Sequence, residues 1–177
     1  MGLIFKRRKE PFDGGGLVLF ETTREAMRAI KVLRGAGFVI KLVAPPVSKR
    51  KGCDLAVEFN SIEELAIERE LGRHGIQPVG FDLMEEDAPR PIDIVKTTEL
   101  GDFVMVKAAN MKIAFNRRTG RIENISGGGC PDVPYLYDRL VGANILEATP
   151  PRTLGHTLCA LMLDAAFERA LEIARED

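Results

Sequence analysis

The sequence has few cysteines, no excess charge of either sign and no long apolar run, and each absence narrows the class of protein. Three cysteines are too few for a disulfide scaffold in a chain of 177 residues, and the odd number leaves at least one thiol unpaired. Lysine and arginine total 25 against 26 acidic residues, so the overall charge does not indicate a nucleic-acid-binding protein. No stretch reaches the length of a membrane span. We therefore expect neither nucleic acid nor membrane as a partner.

The first residues carry no recognisable targeting signal. The basic run from Lys6 to Lys9 is not followed by the apolar region of a secretory signal peptide, and Lys6 stands where N-myristoylation needs serine or threonine. We therefore expect a cytoplasmic protein whose thiols are kept reduced. Residues 1–14 are predicted to form a basic disordered tail.

Residues 15–90 carry strand and helix patterns in the order β-α-β-β-α-β. One helix follows a threonine cap at Thr22 or Thr23, and a second follows an expected capping box of Ser61 and Glu64. The strands are predicted at 17–20, 38–43, 54–59 and 77–83. This order predicts a ferredoxin-like domain, in which two helices back a four-stranded antiparallel sheet. The acidic, proline-containing residues 84–91 are the predicted domain boundary.

Residues 91–177 are predicted to form a small α+β domain, so the whole chain belongs to the α+β class. A β-meander is expected first, with strands at 103–106, 111–115 and 121–125. Two helices then follow, one over 133–140 and a long one over about 153–175. The first half of the last helix is apolar nearly all round, which predicts that it is buried.

Cys130 follows Gly127, Gly128 and Gly129 and precedes Pro131, just before a predicted helix that begins near Asp132. Glycines leave no side chains to shield the thiol, and a helix start favours the thiolate form. We therefore expect Cys130 to be solvent-accessible and more reactive than Cys159. The alternative is a tight turn in which Cys130 only packs, because free cysteine is often buried.

Cys53 is the second candidate thiol. It follows Lys49, Arg50, Lys51 and Gly52, and cationic neighbours favour the thiolate form of a cysteine. The alternative is a solvated basic turn with a cysteine at the start of a strand.

The N-terminal half resembles the selenium/sulfur carrier-like protein family. The resemblance covers the chain to about residue 84 and rests on a strand, the segment Glu-Thr-Thr-Arg-Glu-Ala-Met, an apolar strand, Pro-Pro, the basic loop and Gly-Cys-Asp-Leu-Ala. It implies that Cys53 holds sulfur or selenium. Cys53 is followed by Asp54 here, where the family commonly has glycine.

Metal and nucleotide sites have weaker support in the sequence. His156 and Cys159 lie three residues apart on a predicted helix and, with Cys130 and Cys53, could supply four zinc ligands. No Cys-x-x-Cys pair is present, however, and Cys159 shares its helix face with a core pattern. The glycine runs match neither a Walker loop nor a dinucleotide fingerprint, although bare N–H groups at Gly127–Gly129 leave phosphate binding open. We expect no metal and no cofactor.

These observations predict a sulfur- or selenium-handling protein that acts through thiols. Cys53 receives the cargo as a persulfide, and Cys130 accepts, resolves or relays it. The predicted binding residues for the anionic cargo are Lys49, Arg50, Lys51, Gly127, Gly128 and Gly129. The donor or acceptor is expected to be a protein. The alternative function is a non-catalytic protein-binding subunit or a metal-cofactor assembly factor, and the sequence leaves open both enzymatic activity and oligomeric state.

Overall fold

The structure, a computed structural model, describes residues 12, 14–85 and 89–176. These residues form nine β-strands in two antiparallel sheets, together with five α-helices, which confirms the α+β class. The chain divides into two compact units, Met1–Asp93 and Ile94–Asp177. Nearly all of the predicted disordered tail lies outside the described residues. Among the helices described, none is both long enough and apolar enough to cross a membrane.

The N-terminal unit has the predicted order of elements, with one short strand added at its end. Its sheet has the strand order β4-β1-β3-β2-β5, and every neighbouring pair is antiparallel. The elements are β1 (Gly15–Leu19), α1 (Thr23–Gly35), β2 (Ile40–Ala44), β3 (Ala56–Asn60), α2 (Glu64–Arg73), β4 (Gly80–Leu83) and β5 (Ile92–Asp93).

Both helices of this unit were predicted, but only the first begins as expected. Thr22 and Glu25 form a capping box at the start of α1, each side chain accepting a hydrogen bond from the other residue's backbone N–H. The capping box expected at Ser61 is absent, because residues 61–63 form a 3₁₀ turn and α2 begins at Glu64. The Ser61 N–H donates to the Gly14 carbonyl, so this turn is bound to the start of β1.

Thr22→Ala is expected to destabilise the N-terminal unit by about 1 kcal/mol, the usual contribution of an N-cap side chain. The physical reason is that the Glu25 N–H loses its hydrogen-bond acceptor. Urea unfolding measures the effect. Thr22→Ser keeps the acceptor and serves as the control; equal losses in the two variants would show that the cap contributes little.

Close packing of strand residues defines the core of the N-terminal unit. Phe59 on β3 is fully buried and meets Phe81 edge to face, with ring centroids 6.0 Å apart. Gly16 on β1 lies directly beneath the Phe59 ring, and a Cβ at Gly16 would overlap that ring. A second apolar cluster, with Met84 packed against it, consists of Leu17, Leu19, Val43 and Ala56.

The C-terminal unit is a four-stranded meander with three helices. The sheet order β6-β7-β8-β9 follows the chain order. The sequence predicted the last three of these strands but not the first. It predicted two helices, whereas the structure has three. The elements are β6 (Val95–Leu100), β7 (Phe103–Ala108), β8 (Met111–Asn116), β9 (Ile122–Ser126), α3 (Asp132–Leu140), α4 (Pro151–Leu154) and α5 (Leu158–Glu176).

Helix α5 packs against β7 and β8 and covers one face of this sheet. Alternate residues of these two strands are fully buried, as a half-covered sheet requires: Val104, Val106, Ala108, Met111, Ile113 and Phe115. Ten residues of α5 are buried, and most of them lie in its first half. The predicted burial of this apolar helix is therefore confirmed.

The prediction of one continuous final helix is wrong. Helix α4 ends at Leu154, Gly155 has an extended backbone, and α5 begins only at Leu158. The Asp132 carboxylate accepts hydrogen bonds from the backbone N–H groups of His156 and Thr157, each at 2.8 Å. This side chain binds the N–H groups of the break itself, and it lies 24 residues earlier in the chain than His156.

Candidate functional site

The backbone around Cys53 is fixed against the segment that joins β1 to α1. The Cys53 N–H donates a hydrogen bond to the Phe20 carbonyl at 3.2 Å. The preceding Gly52 has a φ of +96°, and a Cβ there would lie 3.0 Å from the Glu21 carbonyl oxygen. Only glycine fits this close approach comfortably. The turn therefore brings the Cys53 side chain to the start of α1.

Two hydrogen-bonding groups lie next to the Cys53 sulfur. The Leu55 N–H donates to Sγ at 3.3 Å, and Thr23 Oγ1 lies 3.4 Å from the same atom. Thr23 is the first residue of α1, where the helix carries partial positive charge. Cys53 is a free thiol and only 6% exposed. The Leu55 N–H, the Thr23 hydroxyl and the start of α1 are therefore close enough to donate hydrogen bonds to a group bound at this sulfur.

The basic loop before Cys53 is largely engaged with carboxylates. Lys49 forms an ion pair with Asp82 at 2.9 Å, and Arg50 forms one with Asp54 at 3.1 Å. Lys51 is exposed, and its backbone forms an isolated β-bridge with Cys53. The expectation that all three cations hold the sulfur anion therefore has no geometric support at Lys49 and Arg50.

The groups that lie next to the Cys53 sulfur have little signature in the sequence. Leu55 acts through its backbone N–H, which no residue pattern reveals. Thr23 acts through its hydroxyl, and one signal for it existed: two successive threonines stand at the start of α1, and only one of them can cap the helix. Because Thr22 is the cap, the Thr23 hydroxyl is available to the sulfur.

A cleft of about 370 Å³ lies along the loop that leads to Cys53. Its walls are mainly proline and aliphatic side chains, including Pro45, Val47 and Ile92, and Arg50 and Arg90 also line it. Apolar walls with a few charged groups are typical of small-molecule sites.

Cys130 is not the free thiol that the sequence predicted. It forms a disulfide with Cys159, with Cα atoms 6.2 Å apart, and it is half-buried. The helix start predicted at Asp132 is confirmed. The hydrogen bonds from His156 and Thr157 to Asp132 hold the start of α3 beside the start of α5, which brings the two cysteines together. A role for Cys130 in sulfur handling stays a prediction.

The glycines before Cys130 allow close approach by other parts of the chain. A Cβ at Gly127, whose φ is +105°, would overlap the backbone carbonyl of Asn110. A Cβ at Gly128 would lie 2.7 Å from the Cys159 sulfur and 3.0 Å from the Met111 sulfur. Only Gly129 faces open space. Another backbone therefore approaches Gly127 closely. Cofactor binding by these glycines stays a prediction.

Asp132 has a pKa below its usual value. Hydrogen bonds from Thr157 are the main cause, and the backbone N–H and charge of His156 add to them. The carboxylate therefore stays ionised and acts as a structural cap. His156 meets Asp132 through its backbone N–H, and the described residues contain no cluster of three or more His, Cys, Asp or Glu that could hold a metal.

These two units correspond to two protein families. In the N-terminal unit, residues 15–81 match the family described as "Putative Se/S carrier protein-like". Residues 94–177 match "Domain of unknown function (DUF8182)". The chain is 44% identical over 162 residues to "Uncharacterized protein MJ0011" of Methanocaldococcus jannaschii. The aligned region covers 90% of this chain and 81% of that protein. The chain belongs to the same family as this archaeal protein. No solved structure matches it.

Proposed function

We propose that the protein is a cytoplasmic sulfur or selenium carrier that binds its cargo at Cys53. The observation that supports this most is the Cys53 sulfur itself, placed beside the Leu55 N–H and Thr23 Oγ1 at the start of α1. This cysteine lies in the unit that matches the selenium/sulfur carrier-like family. We further propose that this unit is ferredoxin-like, because its strand order β4-β1-β3-β2 combines with two helices in the order β-α-β-β-α-β.

The proposed transfer forms one sulfur–sulfur bond and breaks another. The Cys53 thiolate attacks the terminal sulfur of a donor protein's persulfide. The bond between the two donor sulfurs breaks, and the donor thiolate leaves with the electron pair and takes up the persulfide proton. Cys53 then carries an anionic persulfide, and no external oxidant is needed. Thr23 and the Leu55 N–H are placed to donate to this anion.

The burial of Cys53 affects how a sulfur donor can reach this thiol. A thiol that is 6% exposed is shielded from free oxidants but also from a donor's active site. Transfer therefore requires local movement of the loop around Gly52. We propose that this loop opens transiently in the free protein, which lets a small polysulfide react, and that a protein donor favours the open form on docking. The exposed apolar side chains Val47, Ile62 and Leu65 offer contact area in the same unit.

Those same exposed residues support the second candidate function, a non-catalytic protein-binding subunit. In that case Ile62 and Leu65, at 79% and 65% exposure, are the main contact residues, and Cys53 is a core residue. The two functions differ in what happens to the cysteine, so a measurement of bound sulfur separates them.

Cys53→Ser is expected to lower sulfur loading by at least about tenfold, because the transferred sulfur needs a thiolate acceptor. The protein is incubated without oxygen with polysulfide, desalted and measured by intact mass spectrometry. Wild type gains the mass of one sulfur atom, which dithiothreitol removes. Thr23→Val keeps the side-chain shape without the hydroxyl and should load about two- to tenfold more slowly, the range for one hydrogen bond.

The control variant is Cys130→Ala with Cys159→Ala, which leaves Cys53 as the single cysteine. It should load as wild type does. Equal loading of wild type and Cys53→Ser would contradict the carrier function, and absence of loading in every variant would favour the protein-binding subunit.

A further inference from the structure

The uncovered face of the C-terminal sheet carries a row of lysines. In the strand register Lys96 on β6 lies opposite Lys107 on β7, which lies opposite Lys112 on β8. These are the only lysines in the sequence after Lys51. The three are therefore gathered in one line across three adjacent strands, which we call the lysine row. It lies on the face away from α5, because the buried residues of β7 and β8 have the opposite parity.

Two further rows on the same face are neutral or apolar. The middle row, read across the four strands, consists of Thr98, Met105, Ala114 and Asn124. The third row consists of Leu100, Phe103 and Asn116. Phe103 is 45% exposed and Leu100 is 58% exposed, so an aromatic ring and an aliphatic side chain are open to solvent. The register places no carboxylate in any of the three rows.

The lysine row has an energetic cost in the free protein. Like charges directly opposite each other on neighbouring strands are destabilising. Within the described residues no carboxylate pairs with Lys96, Lys107 or Lys112, whereas Arg117 and Arg118 nearby are paired with Glu99 and Asp102. An anion bound across the row would remove this repulsion. The charge complement of this face is therefore a chain of negative charges.

We propose that this face binds single-stranded nucleic acid, with phosphates on the lysine row and a base stacked on Phe103. Flat four-stranded sheet faces with an exposed aromatic ring bind unpaired bases, whereas peptides are bound mainly in grooves or at sheet edges. The lysine and Phe103 rows are four residues apart, about 13 Å along a strand. A lysine side chain and one nucleotide together span this distance.

The proposed sulfur chemistry does not use this surface. Nucleic-acid binding here differs from the expectation drawn from the overall charge. The net charge of −1 averages over the chain, while the lysine row and its neutral neighbours are segregated on one face. Local segregation, and not net charge, determines whether a phosphate backbone is attracted.

The test is fluorescence anisotropy of full-length protein with labelled oligouridine and oligodeoxythymidine of about 12 nucleotides. The logarithm of the association constant should fall with the logarithm of salt concentration with a slope of about −2, as three phosphate contacts to a single strand require. Each single Lys→Gln change in the row should reduce that slope by about 0.7, and the triple change should weaken binding by at least about twentyfold. Lys31→Gln, an exposed lysine on α1, is the matched control and should change nothing.

Phe103→Ala should weaken binding at least about fivefold without changing the salt slope, because stacking is not ionic. Circular dichroism reports whether each variant is folded. If Phe103→Ala or the triple Lys→Gln variant does not fold, Phe103→Leu and the single variant Lys107→Gln replace them. Absence of binding, a slope near zero or full binding by the triple variant would overturn the proposal. Displacement of the oligonucleotide by polyglutamate at equal charge concentration would also overturn it, in favour of an acidic polypeptide.

Discussion

Replacing Cys130 and Cys159 together by alanine is expected to lower the free energy of unfolding of the C-terminal unit by about 3–4 kcal/mol. The disulfide closes a loop between residues that are 29 positions apart, and its loss returns that loop's conformational entropy to the unfolded chain. For a unit of this size the melting temperature should fall on the order of 15 °C.

Reduction of the wild-type protein provides an independent check of this prediction. Differential scanning calorimetry with and without a strong reductant should show the same fall in wild type, and no further fall in the double variant. Cys53→Ala is the control, because Cys53 is free and lies in the other unit. If oxidised and reduced wild type melt alike, the bond does not contribute to stability as argued.

Arg152→Met is expected to destabilise the C-terminal unit by about 3 kcal/mol at neutral pH. Arg152 donates to the Asp164 carboxylate at 2.9 Å and to Glu168 at 2.6 Å. The Asp164 side chain is only 6% exposed, so the variant leaves a buried charge without its cation. The value lies at the low end of the range for buried pairs, because Arg152 itself is about a third exposed.

The loss of stability caused by Arg152→Met should change with pH in one direction. Burial raises the pKa of Asp164, and the hydrogen bonds from Arg152 partly oppose that rise. A carboxyl whose folded pKa is raised favours the folded state below its ordinary pKa, and this advantage is lost as the pH rises through the raised value. Without Arg152 the pKa of Asp164 is raised further, because the opposing hydrogen bonds are lost. The defect should therefore shrink as the pH falls from neutral toward the ordinary aspartate pKa.

Urea unfolding at neutral pH and at about pH 5 measures this change. Arg152→Met combined with Asp164→Asn should be less destabilised than Arg152→Met alone at neutral pH, because no buried charge remains. The matched control is Arg169→Met, which removes an exposed pair with Glu172 on the same helix and should cost less than about 0.5 kcal/mol. A pH-independent defect would show that lost packing, and not charge, is the cause.

The features that the sequence predicted correctly depend on neighbours close in the chain. The threonine cap of α1 lies next to the helix that it begins, and the buried positions of α1 repeat at helical spacing. The meander of β7, β8 and β9 was predicted from alternation and short turns. The strand β6 was missed because every residue after Val95 is exposed, so alternation gives no signal there.

The features that the sequence did not predict depend on residues far apart in the chain. Helix α5 begins late because of Asp132, and Lys49 pairs with Asp82 over 33 positions. The sequence of the basic loop shows its positive charges, but it does not show which carboxylates form ion pairs with them. The contact between Thr23 and Cys53 spans 30 positions. Such pairings are decided by packing of whole elements, which local patterns do not determine.

The disulfide also closes part of the C-terminal unit into a covalent ring, and most of α5 lies beyond that ring. Residues 130–159 form the ring, which contains α3 and α4, and α5 leaves it at its second residue. One end of α5 is thus anchored by a bond, while beyond Glu168 the buried residues are Ala170 and Ile173. Local opening of this helix is therefore directional: it starts at the Glu176 end and stops at the ring. Amide hydrogen exchange along α5 should slow progressively toward Cys159.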